Sequence, residues 1–284
     1  MTVNYLDKKI LEIDLEKKTY LLKRRNDLSD IIGGVGLSMK LYSEFRDKKP
    51  LIFSIGPFNG FFPYASKTSV FFGVKNKVYD YYLGGSFGSR MQFAQIDAIV
   101  ILNKSRNDIF LEIQDHKVRF LDYGVDFQSH GLPGRRSIIE FKTNKYLHDN
   151  YFRFSGSEAD SILNYKKLFG IVLTGTHNFE IKNNPEYDLV YKEILSRYEY
   201  LTEKKSEFPS CSGCPLGCAK SNFGEISGNF LVHSLVGCQF AKKLYSNQDL
   251  VISCFNVLGY KYTHEDIEKY LNKLYNLYNE YVFQ

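Results

Sequence analysis

The chain has no tryptophan, and only 3 methionines and 7 prolines in 284 residues. Its large apolar surface therefore falls to 22 tyrosines and 23 phenylalanines, which favour pleated, half-buried surfaces. No apolar run approaches the ~18 residues of a membrane-spanning helix, so no membrane partner is expected. The opening MTVNYLDKKILEID lacks the apolar core of a secretory signal, and the expected compartment is the cytoplasm. Charge of one sign is missing too. The net charge is +5, but the positives interleave with acids, as in LEIDLEKKTYLLKRRND. The densest basic run, Lys23-Arg24-Arg25, reads as a solvated strand end or loop, and no basic face alternates with aromatics. Nucleic acid is not an expected partner. With 44% hydrophobic and 24% charged residues, the chain has the composition of a folded protein with a real core.

Several catalytic signatures are absent: there is no nucleophile elbow, P-loop or zinc-protease helix. Six histidines (His116, His130, His148, His177, His233, His264) show no metal-ligand spacing and read as surface or satisfied core residues. Asp97, in QIDAIV, reads as a strand-edge acid.

Local patterns divide the chain in two. Residues 9–13 and 19–22 predict a hairpin around the turn 14–18. In IIGGVGLSMKLYSEF, glycines precede Leu37, Leu41 and Phe45 at four-residue spacing, which predicts a Gly-rich turn opening a helix. Buried strands are expected over 51–55, 69–74, 96–102 and 168–173, a further hairpin over 110–114 and 117–122, and a helix over 136–147. Gly84, Gly85 and Gly88 open another short helix. From about residue 183 the period becomes helical in EYDLVYKEILSRYEYL, NQDLVISCFNVL and HEDIEKYLNKLYNLYNEYV, with Thr263 as the N-cap of the last. The expected fold class is α+β: a β-rich domain over 1–178, then a truncated helical domain over 179–284.

Cysteine is scarce as well, with 5 in the chain, yet three of them crowd into 211-CSGCPLGC-218. In a reducing compartment such clusters mean metal or redox chemistry more often than disulfides. C-x2-C-x3-C puts Cys211, Cys214 and Cys218 on one tight turn, where Gly213 and Gly217 let backbone amides face the sulfurs. Zinc sites pair two such knuckles or add histidines at fixed spacing. An iron–sulfur cubane, which needs four thiolates, is the better chemical match. Zinc, with His233 and Cys238 able to complete a site, and a chance cluster of small buried residues stay open. Cys238 is the candidate fourth ligand, while Cys254, among Val251, Ile252 and Leu258, reads as a small core residue.

Taken in order, ILEIDLEKKTY, IIGGVGLSMKLY, LIFSIGPFNG, ASKTSVFFGVKN, LGGSFGSRMQFAQIDAIVI, KKLFGIVLTGT and CSGCPLGCAK resemble the aldehyde ferredoxin oxidoreductases, tungsten enzymes that hold a metal between two pterins beside a [4Fe–4S] cluster. The resemblance covers most of the chain. It implies a β-rich pterin base followed by a partial all-helical domain. It also implies that Gly84, Gly85 and Ser86 of LGGSFGS bring backbone amides to a pterin phosphate, with Lys67 as the basic contact; amides and a cation suit an anion. The implied cofactors are a [4Fe–4S] cluster on Cys211, Cys214, Cys218 and Cys238 and a tungsten- or molybdenum-pterin. The implied activity is oxidation of an aldehyde or related oxo compound, with electrons passing to ferredoxin or another carrier. The departures are that the family's third domain is absent, that FSGSEADSILNY replaces a glycine-rich segment, that GNFLVHSLVGC lacks the family's acids, and that Lys261 stands where a pterin-binding Asp would be. A separately encoded subunit or a homodimer would have to complete the site. The alternative is a non-catalytic iron–sulfur electron-transfer or scaffold protein. No catalytic acid or base is identifiable.

Overall fold

The computed structural model describes residues 7–75, 77–150, 152–153, 157–179, 181, 184–197, 229–238 and 241–282. The fold is α+β. In chain order, the first sheet comprises β1 (Lys8–Asp14), β2 (Thr19–Arg25), β3 (Leu51–Ser54), β4 (Thr68–Val74), β5 (Lys77–Leu83) and β6 (Ala98–Leu102). They lie in the order β2-β1-β6-β3-β4-β5. Helix α1 (Gly34–Phe45) joins β2 to β3, and α2 (Phe87–Phe93) joins β5 to β6. The second sheet holds β7 (Ile109–Gln114), β8 (Lys117–Asp122), β9 (Arg136–Lys142), β10 (Lys145–His148), β11 (Phe152–Arg153) and β12 (Leu168–Thr174), in the order β11-β10-β9-β12-β7-β8. Helix α3 (Ser157–Lys166) precedes β12. Beyond it the described residues form only helices: α4 (Asn184–Ser196), α5 (Phe230–Ser234), α6 (Lys242–Tyr245), α7 (Gln248–Val257) and α8 (His264–Val282).

The layering explains the sequence patterns. One face of the first sheet, carrying Ile10, Ile52, Phe71, Ala98 and Val100, packs against α1 and the C-terminal helices. The opposite face, with Leu11, Phe53, Val70, Ile99 and Ile101, packs against the second sheet through Leu111, Ile139 and Ile171. Strands covered on both sides lose polar alternation, which is why LIFS and AIVIL are buried throughout. Edge strand β2 keeps its charges. Lys23 pairs with Glu12, and Arg25 with Asp27 and Glu44, so the basic run blunts an exposed edge. Asp97 is also structural, its carboxylate accepting the Lys9 N–H at 2.7 Å.

One expected element is corrected. Residues 136–147 form no helix but the hairpin β9/β10, with Lys142 paired to Lys145 across Thr143-Asn144. Both turn residues have positive φ, 52° and 62°, the backbone of a two-residue hairpin turn whose twist matches the strands. Ile138 and Ile139 face opposite sides of the sheet, into different clusters. The sequence patterns do not announce β5 or α3. The α8 cap is reciprocal: the Thr263 N–H donates to Asp266 at 2.9 Å, and the Asp266 N–H to Thr263 Oγ1 at 3.2 Å, as in a capping box.

The C-terminal helices meet the base backbone to backbone. A Cβ on Gly34 would lie closer than 3.0 Å to the carbonyl oxygens of His233 and Ser234, and one on Gly56 equally close to that of Leu235. The glycines of IIGGVG and SIGPF are therefore where α5 docks. Above this contact Ser234 Oγ meets Tyr270 OH at 2.5 Å. Gly56→Ala should accordingly cost about 2–4 kcal/mol, since neither backbone can retreat. Gly124→Ala, where nothing lies within 4 Å and only φ of +105° is adverse, should cost about 1 kcal/mol. Urea unfolding of the two variants measures the difference, and equal costs would refute the docking role.

Candidate cofactor-facing site

Pairing of Thr68 with Leu83 at the end of β4/β5 puts the next residues out, Lys67 and Gly84, across from one another. The antiparallel register thus joins the cation and the glycine turn that the sequence separates. Lys67 is 1% exposed, with Nζ 5.5 Å from the Tyr82 ring centroid, a cation–π distance. The loop leading to Lys67 is anchored by the helical segment. Tyr187 of α4 donates to the Phe61 carbonyl, Tyr245 of α6 to that of Pro63, and the Cys238 N–H to that of Tyr64. Cys238 is itself buried, so this candidate ligand lies against the loop that carries Lys67.

Two further residues complete this site, Tyr82, which the sequence does not single out, and His233. Tyr82 OH hydrogen-bonds His233 Nδ1 across 151 residues. Burial first, then the charges of Lys242 and Lys67, pull His233 down to about 4 from 6.5, so its ring is neutral at pH 7. The alternation in YDYYL is the only signal that Tyr82 faces the helices, and nothing local marks His233.

Gly84 and Gly85 are buried, and Gly85 has φ of +76°. Ser86 is bonded within the protein: its N–H and hydroxyl both donate to Asp149 Oδ2, at 3.2 and 2.6 Å. Burial alone would raise Asp149, but His148, Ser86 and the Ile138 N–H hold it well below the usual carboxylate range. The turn is therefore fixed by an ionised carboxylate. Nearby lie polar groups without partners. Asn59 is fully buried with neither amide atom bonded among the described residues, and Thr68 Oγ1 is likewise unsatisfied there. Both converge on Gly88, where a Cβ would come within 2.5 Å of Asn59 Nδ2 and 2.9 Å of Thr68 Oγ1. Each orphaned group costs about 1–3 kcal/mol, which a bound polar group would recover.

On the helix-facing side a serine chain runs inward from the same end. Ser38 Oγ meets Ser54 Oγ at 2.7 Å, Ser54 donates to the Gly34 carbonyl, and Ser69 donates to Asp80 at 2.6 Å. Burial lifts Asp80 to about 7 from 3.8.

Cys211, Cys214 and Cys218 lie outside the described residues. Among the described residues no group of three or more His, Cys, Asp or Glu could hold a metal, and no helix is long and apolar enough to cross a membrane. Cys254 is fully buried, and burial pushes its thiol well up, as befits a core residue.

A family model described as the aldehyde ferredoxin oxidoreductase N-terminal domain matches residues 10–153. Among solved structures, a chain of the active-site complex BamBC of benzoyl coenzyme A reductase, determined with 1,5-dienoyl-CoA, superimposes with a TM-score of 0.55 at 18% identity. The superposition covers 73% of this chain and 36% of that one, so this chain spans about a third of that structure's length.

The two buried titratable groups predict opposed pH effects. The folded state holds a proton on Asp80 that the unfolded state releases, so this stability is complete below pH 3.8 and lost as pH rises to about 7. His233, lowered when folded, contributes stability present above 6.5 and lost as pH falls through about 4. Asp80→Asn removes the first effect. Its stability relative to the native chain should therefore rise between pH 4 and 7, by up to roughly 4 kcal/mol, in urea titrations at stepped pH. A pH-independent difference would sink the assignment.

Proposed function

Because the chain belongs to the aldehyde ferredoxin oxidoreductase family, we propose that its β-rich part is the base on which a metal-bearing pterin lies. The family's members bind pterin-metal and iron–sulfur cofactors. The observation that carries the reading is the buried Lys67 facing Gly84 and Gly85, with Asn59 and Thr68 left unsatisfied beside Gly88. These groups fit a cofactor with an anionic arm and a hydrogen-bonding edge. Lys67 supplies the positive charge, the glycine turn allows close approach without a Cβ, and Asn59 offers both a donor and an acceptor. When bound, a metal-pterin supplies the oxygen-atom and electron chemistry, and the protein supplies position and electrostatics.

In this reading the assembled protein oxidises an aldehyde or related oxo compound. Electrons leave through a [4Fe–4S] cluster on Cys211, Cys214 and Cys218, with Cys238 as fourth thiolate, to ferredoxin or a similar carrier. Cys238 is suited to that place because its backbone is tied to the Lys67 loop at Tyr64. His233, neutral at pH 7 and joined to Tyr82, keeps a second positive charge away from Lys67. The β-rich part ends near residue 178 and the helical part carries the cysteines. A separate subunit completes the site, and the complex to which the matched structure belongs is the precedent for such a partner.

One observation favours a second reading, a cluster-bearing electron-transfer or scaffold protein without the pterin. Both donors of Ser86 are taken by Asp149, whose negative charge beside the turn opposes a phosphate.

Metal analysis and electron paramagnetic resonance on protein purified without oxygen distinguish the readings. The proposal expects about four irons per chain together with tungsten or molybdenum. Cys214→Ser should lose the iron, and Lys67→Met should lose the pterin and its metal while keeping the iron. Iron alone would favour the second reading, and zinc alone or no metal would overturn both.

A further inference from the structure

At the opposite end of the first sheet lies a cavity of about 370 Å³ that the reading above does not use. Asp14 pairs with Leu102, and Leu51 with Ile101, so the segments after β1, after β6 and before β3 gather at the end remote from Lys67. Four cationic side chains line the cavity, Lys48, Lys49, Lys104 and Arg106, against two carboxylates, Glu16 and Asp47. None of the six forms an ion pair among the described residues. Lys49 and Lys104, from different loops, bring Nζ to 4.8 and 5.4 Å from the Tyr165 ring centroid. Two ammonium groups converging on one ring repel each other unless an anion lies between them.

A second, independent feature points to a ligand. Ser105 lines the cavity, is 1% exposed, and its hydroxyl has no hydrogen-bond partner among the described residues. An unsatisfied buried hydroxyl among cations is a donor in search of an acceptor. The loop that carries it is also held in advance. The Ser105 N–H donates to the Lys166 carbonyl, while Lys166 Nζ donates to the Asn103 carbonyl at 2.8 Å and Lys167 Nζ to that of Arg106 at 2.7 Å. The Asn103 N–H donates in turn to the Lys48 carbonyl at 2.9 Å. This scaffold fixes the loop before any ligand arrives, which lowers the ordering cost of binding.

We propose that this cavity binds a diphosphate group, free or as an organic ester, with Lys49, Lys104 and Ser105 on its oxygens. Phosphate is preferred to a carboxylate because its oxygens accept from several converging donors at once. Two phosphoryl groups suit four cations spread around a cavity larger than one requires. The inference stands apart from the pterin reading, since no residue is shared.

The test is a calorimetric titration of the full chain with pyrophosphate, beside orthophosphate and a nucleoside diphosphate, at physiological salt. Pyrophosphate should bind saturably with one site and more tightly than orthophosphate. Lys49→Gln/Lys104→Gln should weaken it by at least about tenfold, and Ser105→Ala by a smaller factor. Lys67→Met should leave it unchanged. If the diphosphate ester binds more tightly than pyrophosphate, the ligand is an organic ester; equal affinity identifies the free anion. No saturable binding, binding indifferent to the double substitution, or binding lost in Lys67→Met would overturn the proposal. Unchanged thermal unfolding of the variants shows that the loss is not one of folding.

Discussion

The carbonyl oxygens of His233, Ser234 and Leu235 occupy the space where side chains at Gly34 and Gly56 would stand. Most of the architecture depends on that backbone contact. It lets the helical segment lie flat on one face of the first sheet, so that α1, α5 and α8 bury a common core with Ile52, Phe71 and Val100. It also carries His233 down to Tyr82 and Cys238 down to Tyr64. Any wider separation would open the polar layer beneath, where Ser38, Ser54, Ser69 and Asp80 depend on exclusion of water for their mutual hydrogen bonds.

At the Lys67 end of the sheet the electrostatics are arranged by subtraction. Burial keeps His233 uncharged at neutral pH and raises Asp80 to about 7, while Lys67 and the ionised Asp149 stand as opposite charges beside the glycine turn. The cation lies across from the glycine turn, and the carboxylate is held by Ser86 and the start of β9. At the other end of the sheet the arrangement is the reverse: lysines gather on the Tyr165 ring with no ion pair among the described residues. One sheet thus presents two positively biased ends, one buried and polar-lined, the other open to solvent.

Much of this could be read from local pattern. The β1/β2 hairpin, the glycine turn before α1, the short helix after Gly85 and the capping of α8 by Thr263 all follow from residue types a few positions apart. Residues 136–147 misled because RSIIEF and KYLH lack strict alternation: in a strand buried on both faces, Ile138 and Ile139 both need to be apolar, and the resulting pattern resembles a helical one. The Thr143-Asn144 turn was the overlooked signal.

The sequence by itself determined most of the elements, though not β5, α3 or the β9/β10 hairpin, and also the family, because each rests on periodicity or on ordered short motifs. Only the tertiary structure decided that Lys67 stands across from Gly84, that Tyr82 meets His233, and that Ser105 lies unsatisfied among lysines from two loops. Those facts depend on strand register and on contacts between residues up to 151 positions apart. Such contacts form when the whole apolar surface is buried together, and no local pattern encodes them.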